Sequence, residues 1–344
     1  MKRRQFLTLS AAASALAFPA ILTAQDKRFA EVTLRINGYG GDWDRIMQEQ
    51  IVHPLERKTG LKATFTPGTA AVAIAKVLAA TDDPPFDILM VDSPGMPAVL
   101  KAQVAKPVTP AEVPGLSKVL PGMREFGDFG VPLGSPSVVL ACNTSRNRRP
   151  LTSFAEMARP DLKDRVGMFT LEHDIGVQQL VAMAEANGGG VDKIDPGFVA
   201  LAQIKPNVAT LTSSTVNMLQ LLEQEEVWAA PFWDGRVISL QKAGKPIAMI
   251  EPAEGACSIV SYINLVKGTK HTEAVHAFMQ ESLTGGFSEA LASFFGYRPS
   301  VSGVEIPSDV AERMYKPKQQ KHVDWTKVAQ YRADWLTRFN KEFR

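Results

Sequence analysis

The run Phe86-Asp-Ile-Leu-Met-Val91 constrains this chain more than any other stretch. It is almost wholly apolar, the pattern of a strand buried on both faces of a parallel sheet. The sequence before it supplies the alternation that such a sheet needs. Glu31-Val-Thr-Leu-Arg-Ile36 reads as a strand and ends in the turn Asn37-Gly-Tyr-Gly-Gly41. Asp42 then opens a helix running to about Thr59, Lys62–Thr66 is a short strand, and Ala70–Ala80 is an alanine-rich helix capped by Thr69. Strand alternating with helix at this spacing predicts an α/β fold.

A Pro/Gly-rich stretch over 106–134 reads as a long loop region, after which a second α/β unit begins. Strands are predicted over 137–142, 165–170, 227–230 and 258–266, and helices over 153–157, 175–186, 216–225 and 236–243. The tail is mostly helical. Its last part repeats Trp325, Tyr331, Trp335 and Phe339, a stripe expected to pack into the core. The 344 residues suffice for two lobes, and 45% hydrophobic against 22% charged residues supports a substantial core.

Lys2, Arg3 and Arg4 precede an apolar run from Phe6 to Leu22 and small residues up to Ala24–Gln25, the layout of a cleavable signal peptide over residues 1–24. Arg3-Arg4-Gln5-Phe6-Leu7 fits the twin-arginine pattern, with an ordinary Sec signal or an uncleaved anchor as the alternatives. Removal of residues 1–24 takes away three basic and no acidic residues, leaving 35 basic and 36 acidic side chains and a net charge of −1. That balance gives no electrostatic footprint for nucleic acid or an anionic membrane surface. Export permits a disulfide between Cys142 and Cys257, and two buried free thiols are the plainer expectation.

Catalytic motifs fail one after another. Gly38-Tyr-Gly40 follows a strand, but Trp43 stands where a dinucleotide fingerprint needs its third glycine. Gly68-Thr69…Lys76 lacks the core of a P-loop, and Val91 replaces the first glycine of a nucleophile elbow at Asp92-Ser93-Pro94-Gly95. His271 and His276 stand five apart, off a common helix face, and His53, His173 and His322 are scattered. The chain reads as a binder, with no enzyme activity, cofactor or metal expected.

Several motifs in fixed order then carry a resemblance. They are Gly40-Gly-Asp-Trp43, Pro54-Leu-Glu56…Thr59-Gly60, Phe86-Asp87-Ile88, Val131-Pro132-Leu133-Gly134 and Thr152-Ser153-Phe154…Lys163-Asp164-Arg165-Val166. Trp228…Trp233-Asp234-Gly235-Arg236, Pro252-Ala253-Glu254-Gly255 and Tyr297-Arg298-Pro299 complete the set. Together they resemble the periplasmic solute-binding proteins of ATP-binding-cassette importers, in the branch of polyamine, ferric-iron, thiamine and phosphonate binders. The resemblance implies a two-lobed, type II-like fold with hinge strands and a ligand cleft between the lobes. It places residues 30–140 and 262–344 in one lobe and the insert 141–257 in the other. Cys142 and Cys257 then lie on the two hinge strands, where the resemblance allows a disulfide between them or two free thiols. An inner-membrane permease is the implied partner, and a monomer is usual.

Two residue sets compete for the ligand. Trp43 and Trp233 offer aromatic faces and Asp234 a carboxylate, an arrangement that suits an organic cation; core packing is their plainer role. Polyamine binders of the family carry a tryptophan and an acid shortly after the Glu-Gly turn, where this chain has Ile259 and Ser261. Their acidic pair in the second lobe is reduced here to Asp174, so the match to a long polyamine is incomplete. Thr69, Ser93, Ser213 and Ser214 precede predicted helices and suit an anion, with Arg236 or Arg298 as its guanidinium; helix capping is the plainer role of the four hydroxyls. The paired tyrosines of iron binders are not evident. The expected function is capture of a small charged organic solute, with a lean toward amines. The alternatives are an organic-anion or phosphonate receptor, a sensor component, and a secreted enzyme on the same scaffold.

Overall fold

The computed structural model describes residues 27–147, 149–318 and 321–343, so the leader expected over 1–24 lies outside the described residues. Strands β1 (Thr33–Gly38), β2 (Lys62–Pro67), β3 (Ile88–Asp92), β4 (Ala105–Lys106) and β5 (Val131–Ser135) open one sheet. The chain then crosses to a second, five-stranded sheet. It is built from β6 (Val138–Asn143), β7 (Val166–Phe169), β8 (Val208–Thr212), β9 (Ala229–Trp233) and β10 (Ile247–Ile250), in the order β10-β6-β9-β7-β8. After β11 (Cys257–Ser258) it returns, and β12 (Ser261–Val266) and β13 (Arg298–Pro299) complete the first sheet as β13-β5-β12-β3-β1-β2, with β4 beside β12. A last strand, β14 (Lys321–His322), pairs with β11.

β3 is buried on both faces, as its composition predicts. Ile88 and Met90 join one apolar cluster, with Ile36 and Ile263, while Leu89 and Val91 join another on the opposite face, with Ala73 and Val99. Period-two geometry divides the strand this way, so neither face of it can tolerate charge. The helix predicted from Asp42 to Thr59 forms over Gly41–Thr59 but widens into a π turn at Gln48–Val52. Pro54 explains the widening: it has no N–H for the Gln50 carbonyl, and its ring crowds that group. Gly60 ends the helix at φ 81°, where a Cβ would lie 2.8 Å from the Ala30 Cα.

Some boundaries differ from expectation. The region 106–134 holds a short 3-10 turn, Pro114–Lys118, and the start of β5. The strand expected over 227–230 runs over Ala229–Trp233, so Trp233 ends a strand instead of lying in a loop. The helix Asp195–Ile204 and strands β8 and β10 have no counterpart in the sequence reading. The division into lobes also differs at two points. Val138–Leu140 pair within the second sheet, and the helix Trp325–Phe343 buries Trp325, Trp335, Phe339 and Phe343 in the second sheet's apolar cluster, not the first's. Three aromatics of the expected stripe are therefore buried, while Tyr331 is 37% exposed. The segments that cross between sheets run side by side, with Ile259 N–H donating to the Pro136 carbonyl (3.2 Å). Cys142 and Cys257 are free, buried thiols and do not bridge these segments.

Candidate functional site

In open α/β sheets ligands bind outside the carboxyl ends of the strands, where loops and helix starts converge. Both sheets here point such ends at one cavity of about 500 Å³. From the first sheet, the turn after β1 supplies Tyr39, the first turn of the helix that follows supplies Trp43, and the end of the helix Gly285–Phe295 with the residues after it supplies Phe294, Phe295 and Tyr297. From the second, the β9-to-helix junction supplies Trp233, Gly235, Arg236 and Ser239, and the helix start after β8 supplies Thr215. The aromatic wall is continuous: Trp43 lies 5.5 Å from Tyr39 and 5.4 Å from both Phe295 and Tyr297, centroid to centroid. Burial of rings this large drives the wall together, and their tilted contacts add specificity.

Asp92, the last residue of β3, stands behind Tyr39. Its carboxylate accepts hydrogen bonds from the Ser261 hydroxyl (2.6 Å) and the Tyr39 phenol (3.0 Å). Burial pushes its pKa up to about 6 against those two bonds, and the nearby Asp174 adds to the rise. Asp174, at the start of the helix Asp174–Ala186, pairs with Arg332 of the C-terminal helix at 2.9 Å. Burial also raises the Tyr39 and Tyr297 phenols, with Asp92 next among the causes in each case.

The lobes meet beside the cavity. A Cβ on Gly235 would fall 1.8 Å from the Phe295 carbonyl oxygen, so only glycine permits this approach of one lobe to the other. Beneath it, Arg298 locks the crossing strands, donating to the hydroxyls of Ser135 and Ser258 (2.8 Å each). Asp234 is wholly buried there and accepts from the Ser137 and Gly235 amides at 3.1 and 2.8 Å. Burial pushes its pKa up to about 7 against those bonds and the positive Arg298.

Residues 50–315 match the family model described as bacterial extracellular solute-binding protein, which covers most of the chain. The chain belongs to that family. As a solute-binding protein it is 20% identical over 313 residues to spermidine/putrescine-binding periplasmic protein 1 of Haemophilus influenzae, across 85% of this chain and 86% of that one. Its fold superposes on an ABC transporter structure from Clostridium perfringens with a TM-score of 0.79 at 16% identity, covering 91% of this chain and 100% of that one. It also superposes on a GABA receptor with a TM-score of 0.77 at 18% identity, covering 91% and 98%. The two-lobed α/β fold of ABC-transporter solute-binding proteins is thus the fold of this chain, and the family is one of transport receptors, not enzymes.

The site of this solute-binding protein brings together only part of the residue set chosen from sequence. Trp43, Trp233 and Arg236 line the cavity, and Ser261 and Asp174 stand around Asp92. The others lie elsewhere. Thr69 and Ser214 cap their helices through the Val72 and Asn217 amides, and Ser213 is exposed beside that cap. Ser93 is buried and bonds Glu125 and Val260. Asp234 and Arg298 serve the hinge, because each is turned toward the crossing strands and not the cavity. Sequence reasoning missed Tyr39, Thr215, Phe295 and Tyr297 in the lining, and Asp92 behind Tyr39. The signal for Tyr39 and Tyr297 was their place in the quoted turns after β1 and before β13. Among the described residues no cluster of three or more His, Cys, Asp or Glu could hold a metal ion.

Proposed function

We propose that this ABC-transporter solute-binding protein is exported with cleavage near Ala24, captures a small amine-bearing solute between its lobes, and hands it to an inner-membrane permease. The observation that supports the amine is Asp92, a carboxylate beside an aromatic-walled cavity that has no cationic partner among the described residues. Tyr39, Trp43, Trp233 and Tyr297 offer π faces that attract an organic cation once water is displaced. The curated relative named for spermidine and putrescine and the structural neighbour named as a GABA receptor take amine ligands by name.

The test is native mass spectrometry of the mature protein purified without refolding, then calorimetric titration with a panel of small amines. A bound organic amine, or a tight response to a panel member, is the expected result. Trp43→Ala or Trp233→Ala should each weaken that binding about 10- to 100-fold, the loss that removing a cation–π wall of roughly 1–3 kcal/mol produces. A protein that carries no small molecule and responds to no amine sinks the reading.

A further inference from the structure

The charges at the cleft do not add up to a site for a dication. Asp42 lines it and three further carboxylates, Asp92, Asp174 and Asp234, stand behind its walls; three of the four are already engaged. Asp42 pairs with Arg45 (3.0 Å), Asp174 pairs with Arg332 (2.9 Å), and Asp234 is spent on the amides of Ser137 and Gly235. Asp92 alone accepts nothing but hydroxyls, and two hydroxyls leave lone pairs of a carboxylate unused. On the other wall, Arg236 lines the cavity, and its guanidinium makes no ion pair or hydrogen bond among the described residues. Its guanidinium carries five N–H donors in a fork that fits a carboxylate. The indole N–H of Trp43, a residue only 5% exposed, likewise has no acceptor.

We infer that the ligand is a short zwitterion, its ammonium received by Asp92 and its carboxylate by Arg236. A diamine of the same length would bring its second ammonium against the Arg236 guanidinium. A dicarboxylate would bring its second anion against Asp92. Like charges held together in a site that excludes water cost affinity in either case, whereas the zwitterion leaves no charge unpaired. Tyr39, whose phenol donates to Asp92, and Arg236 line the same cavity of about 500 Å³, which keeps the ligand small. This inference rests on the cleft being the amine site, and it narrows the ligand within that reading.

The experiment titrates the mature protein calorimetrically with matched series of three to six carbons: α,ω-diamines, α- and ω-amino acids, and α,ω-dicarboxylates. An amino acid is expected to bind at least tenfold more tightly than the diamine and dicarboxylate of its length. Arg236→Gln should weaken that amino acid at least tenfold, and Arg236→Glu should reverse the preference toward the diamine. Arg236→Lys, which keeps the charge without the fork, should lose less than Arg236→Gln; unchanged thermal midpoints of the ligand-free variants exclude misfolding. A diamine that binds as tightly as any amino acid overturns the zwitterion and leaves the amine reading standing. A response to dicarboxylates alone, or to none of the three series, overturns both.

Discussion

Asp92 is held where its charge is costly, and that cost has a pH dependence. An ordinary aspartate titrates near 4, while burial pushes Asp92 up to about 6 in the folded protein. Between those values the folded state binds more protons than the unfolded one, so stability is greatest at the acid end of the window and falls as pH rises through 6. Asp234, pushed up to about 7, extends the same decline by another pH unit. Ligand binding runs the other way. An ammonium needs the Asp92 carboxylate ionised, so amine affinity should drop up to about tenfold per pH unit below 6. Titration calorimetry at pH 5, 6 and 7.5 measures this, with Asp92→Asn as the comparison. The variant should bind weakly and with no change across that range; a wild-type affinity flat from pH 5 to 7.5 removes Asp92 from the site.

Where elements join, a few residues decide whether the lobes can close. Gly235 opens a helix of the second lobe directly against the Phe295 carbonyl of the first. Gly235→Ala should leave each lobe folded, since alanine is the better helix former, yet the added methyl holds the lobes apart. Affinity should fall at least tenfold, and X-ray scattering should show less compaction on ligand addition than in wild type. Undiminished affinity with normal compaction would refute the contact. The same junctions show what the sequence could reveal. Local pattern gave the buried β3, the helix after β1 and its glycine stop, because each depends on residues adjacent in the chain. It ended β9 three residues early because Pro231 interrupts the apolar run, and that put Trp233 in a loop. It passed over Asp92 because the bonds that define its role span 53 residues to Tyr39 and 169 to Ser261. No window along the chain contains them.

Across the whole molecule, the C-terminal helix makes the two lobes unequal. Read along the sequence, residues 262–344 follow the first lobe, yet Trp325, Val328, Trp335, Phe339 and Phe343 complete the core of the second. Arg338 lies 4.1 Å over the Phe198 ring, and Arg332 reaches Asp174 at the cleft, so the helix stabilises the lobe and steadies a charged group of the site together. Phe339 is fully buried, and truncating such a ring to alanine costs about 3–5 kcal/mol. Phe339→Ala should therefore lower the melting of the second lobe by on the order of 10 °C. The first lobe keeps apolar clusters on both faces of its own sheet, untouched by the change. Scanning calorimetry of the ligand-free variant should then resolve two transitions, the earlier one from the second lobe. Saturating ligand, bound to both lobes only when both are folded, should raise the earlier transition toward the later by about 2.7 kcal/mol at a hundredfold excess over Kd. A variant that melts with wild type would return the helix to the periphery of the fold. A ligand that raises only the later transition would mean that the second lobe contributes nothing to the site.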